Sequence, residues 1–292
     1  MPDFTSPFEC HISIEDCQHS AVDHIATASG LSKQRVKQAM QKGAVWLTQG
    51  SKTRRLRRAS KTPKAGDSLH LYYNENILAT VPSTPTLIAD ETSYSVWYKP
   101  CGMLSQGSKW GDHCTITRWV EQNLQPQRPC FTVHRLDRAA TGLILVGHEK
   151  RSTATLSKLF QIRALKKHYR VIVHGQFPTE PPTQTFNSNI DGRTACSHAR
   201  CLEYDDDNKK SLLEVVIESG RKHQIRRHLS EAGFAVVGDR LYGQGDDSQD
   251  LQLTACYLAF NFPNSNSNKN SEKNREKQYR LPEELIPALN KT

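Results

Sequence analysis

Three short segments carry side chains suited to acid, base or nucleophilic work. VHRLDRAATG sets a carboxylate, Asp137, between Arg135 and Arg138. A carboxylate can attack an electrophilic carbon or take a proton. HYRVIVHG holds Tyr169, a flat ring with an ionisable hydroxyl. SGRKHQIRRHL holds Arg221, a permanent cation able to pair with a carboxylate. Each also has an ordinary structural use. Asp137 can close a turn with its arginine neighbours, Tyr169 can pack in a core or at an edge, and Arg221 can serve a local acid at a helix start. His134, His168, His223 and His228 are a conceivable metal set, but no carboxylate or thiol spacing supports one, and no metal is expected. The chain has no GxxxxGK[ST] loop and no GxGxxG after a strand, so ATP, GTP and NAD chemistry lack their usual entry.

These residues need elements to aim them. Val96-Trp97-Tyr98 reads as a strand ending at Lys99-Pro100, and residues 115–124 as a short helix with Ile116, Val120 and Leu124. Asp137 precedes a turn at Thr141-Gly142 and the apolar run Leu143-Ile144-Leu145-Val146, the pattern of a strand buried on both faces. Leu156, Leu159 and Phe160 follow at helical spacing, and the next strand puts Tyr169, Val171 and Val173 on one face. Residues 212–219 alternate as a strand, Ser219-Gly220-Arg221 turns, and a helix over 222–231 carries Ile225 and Leu229 inward before Gly233. Strands at Ala235-Val236-Val237 and near 253–260 complete the set. Hairpin-like and helical connections both occur, which predicts an α+β fold with a mixed, mainly antiparallel sheet. The polar stretch 264–278 reads as an exposed, mobile loop.

The 292 residues allow about two domains. The net charge is +9, yet residues 31–64 alone hold eleven Lys and Arg and no acid, which leaves −2 for everything else. Val22, Ile25 and Ala26 suggest a helix closed by Gly30, and Ser32 caps a second with Val36, Ala39 and Met40 on one face. Lys33, Arg35 and Lys37 fall towards solvent. A strand at 44–47 and another at 68–73, entered through Ala65-Gly66-Asp67, complete a small α/β unit. LSKQRVKQAMQKGAV and AGDSLHL resemble the S-four RNA-binding module, with a longer basic insert, LTQGSKTRRLRRASKTPK, between them. The resemblance implies RNA contact through Lys33, Arg35, Lys37, Arg54, Arg55, Arg57 and Arg58, since phosphates would neutralise the run. A solvated charge run is the plain alternative. Residues 79–90, with two prolines, read as a linker. The expected domains are therefore 10–78, RNA-binding, and 91–292, catalytic.

No run of 18 apolar residues and no basic, apolar leader occurs, so no membrane partner is expected. The eight scattered cysteines form no CxxC pair and read as free thiols of a cytoplasmic protein.

VHRLDRAATGLILVGHEK, KKHYRVIVHG, SGRKHQIRRHLSEAGFAVVGDRLYG and LQLTACYLAFNFP resemble, in order and spacing, the RluA family of RNA pseudouridine synthases over about residues 93–263. The resemblance implies that family's fold and a cofactor-free isomerisation of uridine in structured RNA. Ribosomal RNA is favoured and transfer RNA second, with the enzyme acting as a monomer. It implies Asp137, Tyr169 and Arg221 as catalytic residues, with Arg221 keeping Asp137 ionised and oriented. Arg135 and His134 would serve base flipping and RNA contact. Asp137 would attack the sugar's anomeric carbon or take a sugar proton to give a glycal, and the sequence leaves both open. Tyr169 would stack the freed uracil and assist proton removal from its carbon. Ala140-Thr141-Gly142 and Ser219-Gly220-Arg221 stand where the family usually has Thr-Ser-Gly and Thr-Gly-Arg. A non-enzymatic RNA-binding or ribosome-assembly protein is the rival reading. A glycoside hydrolase would need a second carboxylate that these motifs lack.

Overall fold

Apolar residues at strand and helix spacing gather into separate cores. The computed structural model describes residues 6–243, 249–262 and 276–289. It divides into a unit of Met1–Pro82 with Gln106–Asn123 and a unit of Ser83–Ser105 with Leu124–Thr292. Among the described residues no helix is long and apolar enough to cross a membrane.

The first unit lays two helices on a four-stranded antiparallel sheet. Its elements are β1 (Phe8–Ser13), α1 (Ala21–Ser29), α2 (Lys33–Gln41), β2 (Val45–Gln49), β3 (Lys52–Arg55), β4 (Ser68–Tyr73), α3 (Glu75–Ala79) and α4 (Ile116–Asn123), with strand order β1-β4-β2-β3. Ser20 and Asp23 close a reciprocal cap at the start of α1, and Gly30 ends it in the left-handed region at φ +73°. Ser32 caps α2. Ile25, Val36, Met40, Leu47, Leu69 and Leu71 fill the core, each worth roughly 1.5–3 kcal/mol of burial. The basic insert begins as the β2–β3 hairpin. Asp112, from the 106–123 stretch, meets Arg55 Nε at 3.2 Å and Arg57 Nη2 at 2.5 Å, both largely shielded from water.

The second unit is built on a ten-stranded sheet. It comprises β5 (Thr86–Asp90), β6 (Tyr94–Lys99), β7 (Phe131–Thr132), β8 (Thr141–Gly147), α5 (Lys150–Gln161), β9 (Leu165–His174), β10 (Gln184–Ile190), β11 (Arg193–Asp205), β12 (Lys210–Ile217), α6 (Gln224–Glu231), β13 (Leu253–Asn261) and β14 (Glu276–Arg280). The order is β10-β11-β12-β9-β13-β8-β6-β5, with β14 on β13 and β7 on β8. Every pairing is antiparallel except β13 with β8. The fold is thus α+β with a mixed, mainly antiparallel sheet. β13 is buried along eight of its nine residues and sits where the parallel join is made. At that join Gly142, with φ +113°, presses so closely on Ala255 that a Cβ would strike its backbone.

Three local expectations change. Within the 79–90 linker, Thr86–Asp90 form β5, because pairing with β6 outweighs the breaker signal of the preceding prolines. Residues 235–237 form no strand and touch β9 through a single bridge, Val173 to Val236. The expected mobile loop 264–278 lies outside the described residues up to 275, and 276–278 belong to β14.

Candidate active site

Asp137 lies in the loop between β7 and β8, its side chain 28% exposed. Two neighbours fix that loop. Lys99, fully buried at the end of β6, donates from Nζ to the carbonyls of Arg138 (3.3 Å), Met103 (3.0 Å) and Pro100 (3.1 Å). Ser105 Oγ accepts from Leu136 N–H at 3.0 Å and donates to Leu136 O at 2.7 Å. Burial pushes the Lys99 ammonium down to about 8, with the Asp137 charge among the opposing influences.

Across from the carboxylate stands α6. Arg226 Nη1 is 3.8 Å from Asp137 Oδ2, and His223 Nε2 is 3.8 Å from Oδ1. Those are ion-pair separations rather than hydrogen bonds, and apo catalytic contacts commonly tighten only around substrate. Arg226 is 5% exposed and its grip comes from Asp239, 1% exposed. Nε donates to Asp239 Oδ2 at 2.7 Å and Nη2 to Oδ1 at 2.5 Å. Asp239 Oδ1 also accepts from Leu241 N–H and Tyr242 N–H at 2.9 and 3.0 Å. The VGD turn thus fixes the guanidinium, and Tyr242 backs it, its ring centroid 5.1 Å from Arg226 Cζ. His223 takes φ +55°, a left-handed conformation that costs about 1 kcal/mol or more for a side chain of this kind. It faces Asp137 and meets the Tyr242 hydroxyl at 2.9 Å. Burial holds its imidazole below the ordinary range, against the pull of Asp137.

Tyr169, on β9, packs against the core that holds Val171, Leu213 and Ile225. Burial, with the Asp137 charge added, raises its phenol above the ordinary range, so the hydroxyl stays protonated. The structure therefore gathers Asp137, Tyr169, Arg226 and His223. Arg221 is not in that group. It lies in the turn before α6, and its Nε donates to Thr194 O at 3.2 Å. Arg135 is exposed in the Asp137 loop. His134 turns inward: Nε2 accepts from Leu145 N–H at 3.0 Å and the ring stacks on Phe160 at 4.1 Å. Burial, then Lys167, pushes it down to about 3, so it is a neutral strand anchor.

The basic residues divide likewise. Arg54, Arg58 and Lys37 are exposed, whereas Lys33 pairs with Asp23 at 2.6 Å and Arg35 with Glu75 at 3.3 Å. Arg55 and Arg57 are spent on Asp112 and on the Ser108 and Gln41 carbonyls. Ser105, Arg226 and Asp239 were not expected from the sequence, where Lys99 read only as a strand end and His223 only as part of a conceivable metal set. The available signals were a Lys-Pro at a strand end and a second arginine inside GRKHQIR.

A family model described as RNA pseudouridylate synthase matches residues 93–231. The chain is 30% identical over 212 residues to the dual-specificity RNA pseudouridine synthase RluA of Vibrio vulnificus, covering 66% of this chain and 83% of that one. It is 36% identical over 150 residues to an uncharacterized RNA pseudouridine synthase of Chloroflexus aurantiacus, covering 46% of each; the chain thus spans under half of that relative. Human RNA pseudouridylate synthase domain containing 1 superposes with a TM-score of 0.57 at 18% identity, over 71% of this chain and 88% of that chain.

Proposed function

The chain belongs to the RluA family of RNA pseudouridine synthases, and from that premise we propose that Asp137 converts uridine to pseudouridine in structured RNA. Ribosomal RNA is the favoured substrate and transfer RNA the second. The observation that carries the proposal is the half-shielded Asp137 carboxylate facing Arg226, itself locked by Asp239.

The reaction breaks the bond from uracil N1 to ribose C1′, turns the base, joins C5 to C1′, and moves the C5 proton off as N1 gains one. It is redox-neutral. Asp137 attacks C1′ or takes the C2′ proton, and both roles use an ionised carboxylate beside a fixed cation. Arg226 fills the part that the family resemblance assigned to Arg221. Tyr169 presents its ring to the freed base and, as a protonated phenol, can donate a hydrogen bond to it. Its raised pKa argues against a role as the base that takes the C5 proton. Arg135, exposed beside Asp137, is suited to occupy the gap left by the flipped uridine. The first unit, with Arg54, Arg58 and Lys37 exposed, would hold flanking RNA through its phosphates.

Tritium release from RNA labelled at uracil C5 tests the reading. The parent releases tritium from total ribosomal RNA, and Asp137→Asn abolishes release while keeping the parent's thermal midpoint and RNA affinity. A variant as active as the parent removes Asp137 from the chemistry. A parent inert on every RNA, yet binding it, would make this an RNA-binding protein on the same fold.

A further inference from the structure

A second cluster lies on the other face of the sheet. Ser197 of β11 meets Gln224 and His228 of α6, so by strand alternation Cys196 and His198 point away from that helix. Glu218 follows β12 directly, and its N–H donates to the Cys196 carbonyl at 3.2 Å. The backbone thus fixes three potential ligands side by side.

Their side chains converge on one nitrogen. Cys196 Sγ is 3.4 Å from His198 Nε2, and Glu218 Oε1 is 3.0 Å from the same atom. Sulfur, nitrogen and oxygen all lie within 4.8 Å of one another. A relay triad would use both ring nitrogens, whereas here Nδ1 is engaged elsewhere, 3.0 Å from Thr185 Oγ1 on β10. With Thr185 Oγ1 against Nδ1, Nε2 is the ring nitrogen left to face both the thiol and the carboxylate. A cation among the three atoms can take one ligand atom from each, and a hydrogen-bond partner on the far nitrogen, here Thr185 Oγ1, is how a metal-binding histidine is oriented.

The spacing agrees. Zinc bonds of about 2.0–2.3 Å at tetrahedral angles put nitrogen and oxygen about 3.3 Å apart, and nitrogen and sulfur about 3.6 Å apart. The observed 3.0 and 3.4 Å are close to those edges. An open pocket of about 450 Å³, lined by Cys196, Glu218, Asn187, Asn189, Thr194 and Arg163, adjoins the cluster and leaves room for a fourth ligand.

We propose that Cys196, His198 and Glu218 bind one divalent cation of the zinc class in tetrahedral geometry, with water from the pocket in the fourth position. Binding replaces the Cys196 S–H bond by a sulfur–metal bond and releases the proton to solvent. The ion clips β11 to β12 at the end of the sheet nearest α6.

The full chain, stripped of metal with a chelator, is titrated with Co²⁺ alone. One equivalent binds, giving thiolate-to-cobalt charge-transfer absorption and the ligand-field bands of a tetrahedral ion, and Zn²⁺ bleaches both. Cys196→Ser abolishes the charge-transfer band, while Cys17→Ser, at an exposed thiol in the first unit, keeps it. Glu218→Gln, at a side chain 57% exposed, leaves the fold unchanged by circular dichroism and weakens Co²⁺ binding. Thr185→Val weakens it by about 10–100-fold through loss of ring orientation. Absence of the band at millimolar Co²⁺, or a band that survives Cys196→Ser, overturns the site and leaves a hydrogen-bonded cluster.

Discussion

At the scale of single residues, the two arginines of GRKHQIR show what the sequence could and could not disclose. Asp137 and Tyr169 could be proposed from the sequence because their segments occur in a recognisable order. Choosing between Arg221 and Arg226 required the start of α6 and the position of Asp239, a partner thirteen residues further along. Arg226→Lys keeps the charge but loses the two-pronged grip on Asp239. If Arg226 positions Asp137 as proposed, steady-state tritium release should show kcat reduced about a hundredfold, the cost of a positioning group displaced by about an ångström, with RNA affinity held. Asp239→Ala leaves a buried cation unpaired and should cost about 3–5 kcal/mol in urea unfolding. His134 gives a pH signature. Its folded pKa, about 3, lies below its ordinary 6.5, so the unfolded chain binds the extra proton first. Stability from this group is complete above 6.5 and is lost as pH falls towards 3. His134→Gln keeps an acceptor for Leu145 N–H and cannot titrate there. Urea midpoints for this variant should fall less between about pH 7 and pH 5 than those of the parent.

Among elements, the first two helices were readable from caps and apolar spacing, Gly30 and Ser32 above all. β5 was hidden because the prolines before it read as a linker, although its pairing with the adjacent β6 outweighs them. The proposed metal cluster was hidden because its members are separated in the sequence. Cys196 and His198 are two residues apart, but the third ligand comes from the end of the next strand. The parallel pairing of β8 with β13 joins residues more than a hundred positions apart, Thr141 with Thr254 and Gly142 with Ala255. No local pattern announces such a pairing. Gly142 permits it, so Gly142→Ala should destabilise the protein by about 3 kcal/mol, from both the positive φ and the collision with Ala255. Calorimetry on the purified variant checks this.

For the whole molecule, charge was the most legible property and the easiest to over-read. Residues 31–64 carry +11, but Arg55 and Arg57 hold Asp112 and are not free for phosphate. Replacing Arg54, Arg58 and Lys37 by glutamine should flatten the logarithmic salt dependence of RNA binding by roughly 0.7–0.9 for each phosphate no longer neutralised, with little change in thermal midpoint. Replacing Arg55 and Arg57 should lower the midpoint instead. Filter binding across a salt series, beside thermal melts, separates the two groups. The Asp112 pairs also bear on how the protein is made. Gln106–Asn123 belongs to the first unit, yet the strands Thr86–Asp90 and Tyr94–Lys99 of the second precede it. On the ribosome, the first unit cannot complete its ion pairs until residue 112 has emerged, by which time two strands of the second unit are already outside and unpaired with their later neighbours. Release of a nascent chain at residue 82 would leave Arg55 and Arg57 without their carboxylate, so a protein that looks like two successive modules is synthesised as an interleaved pair.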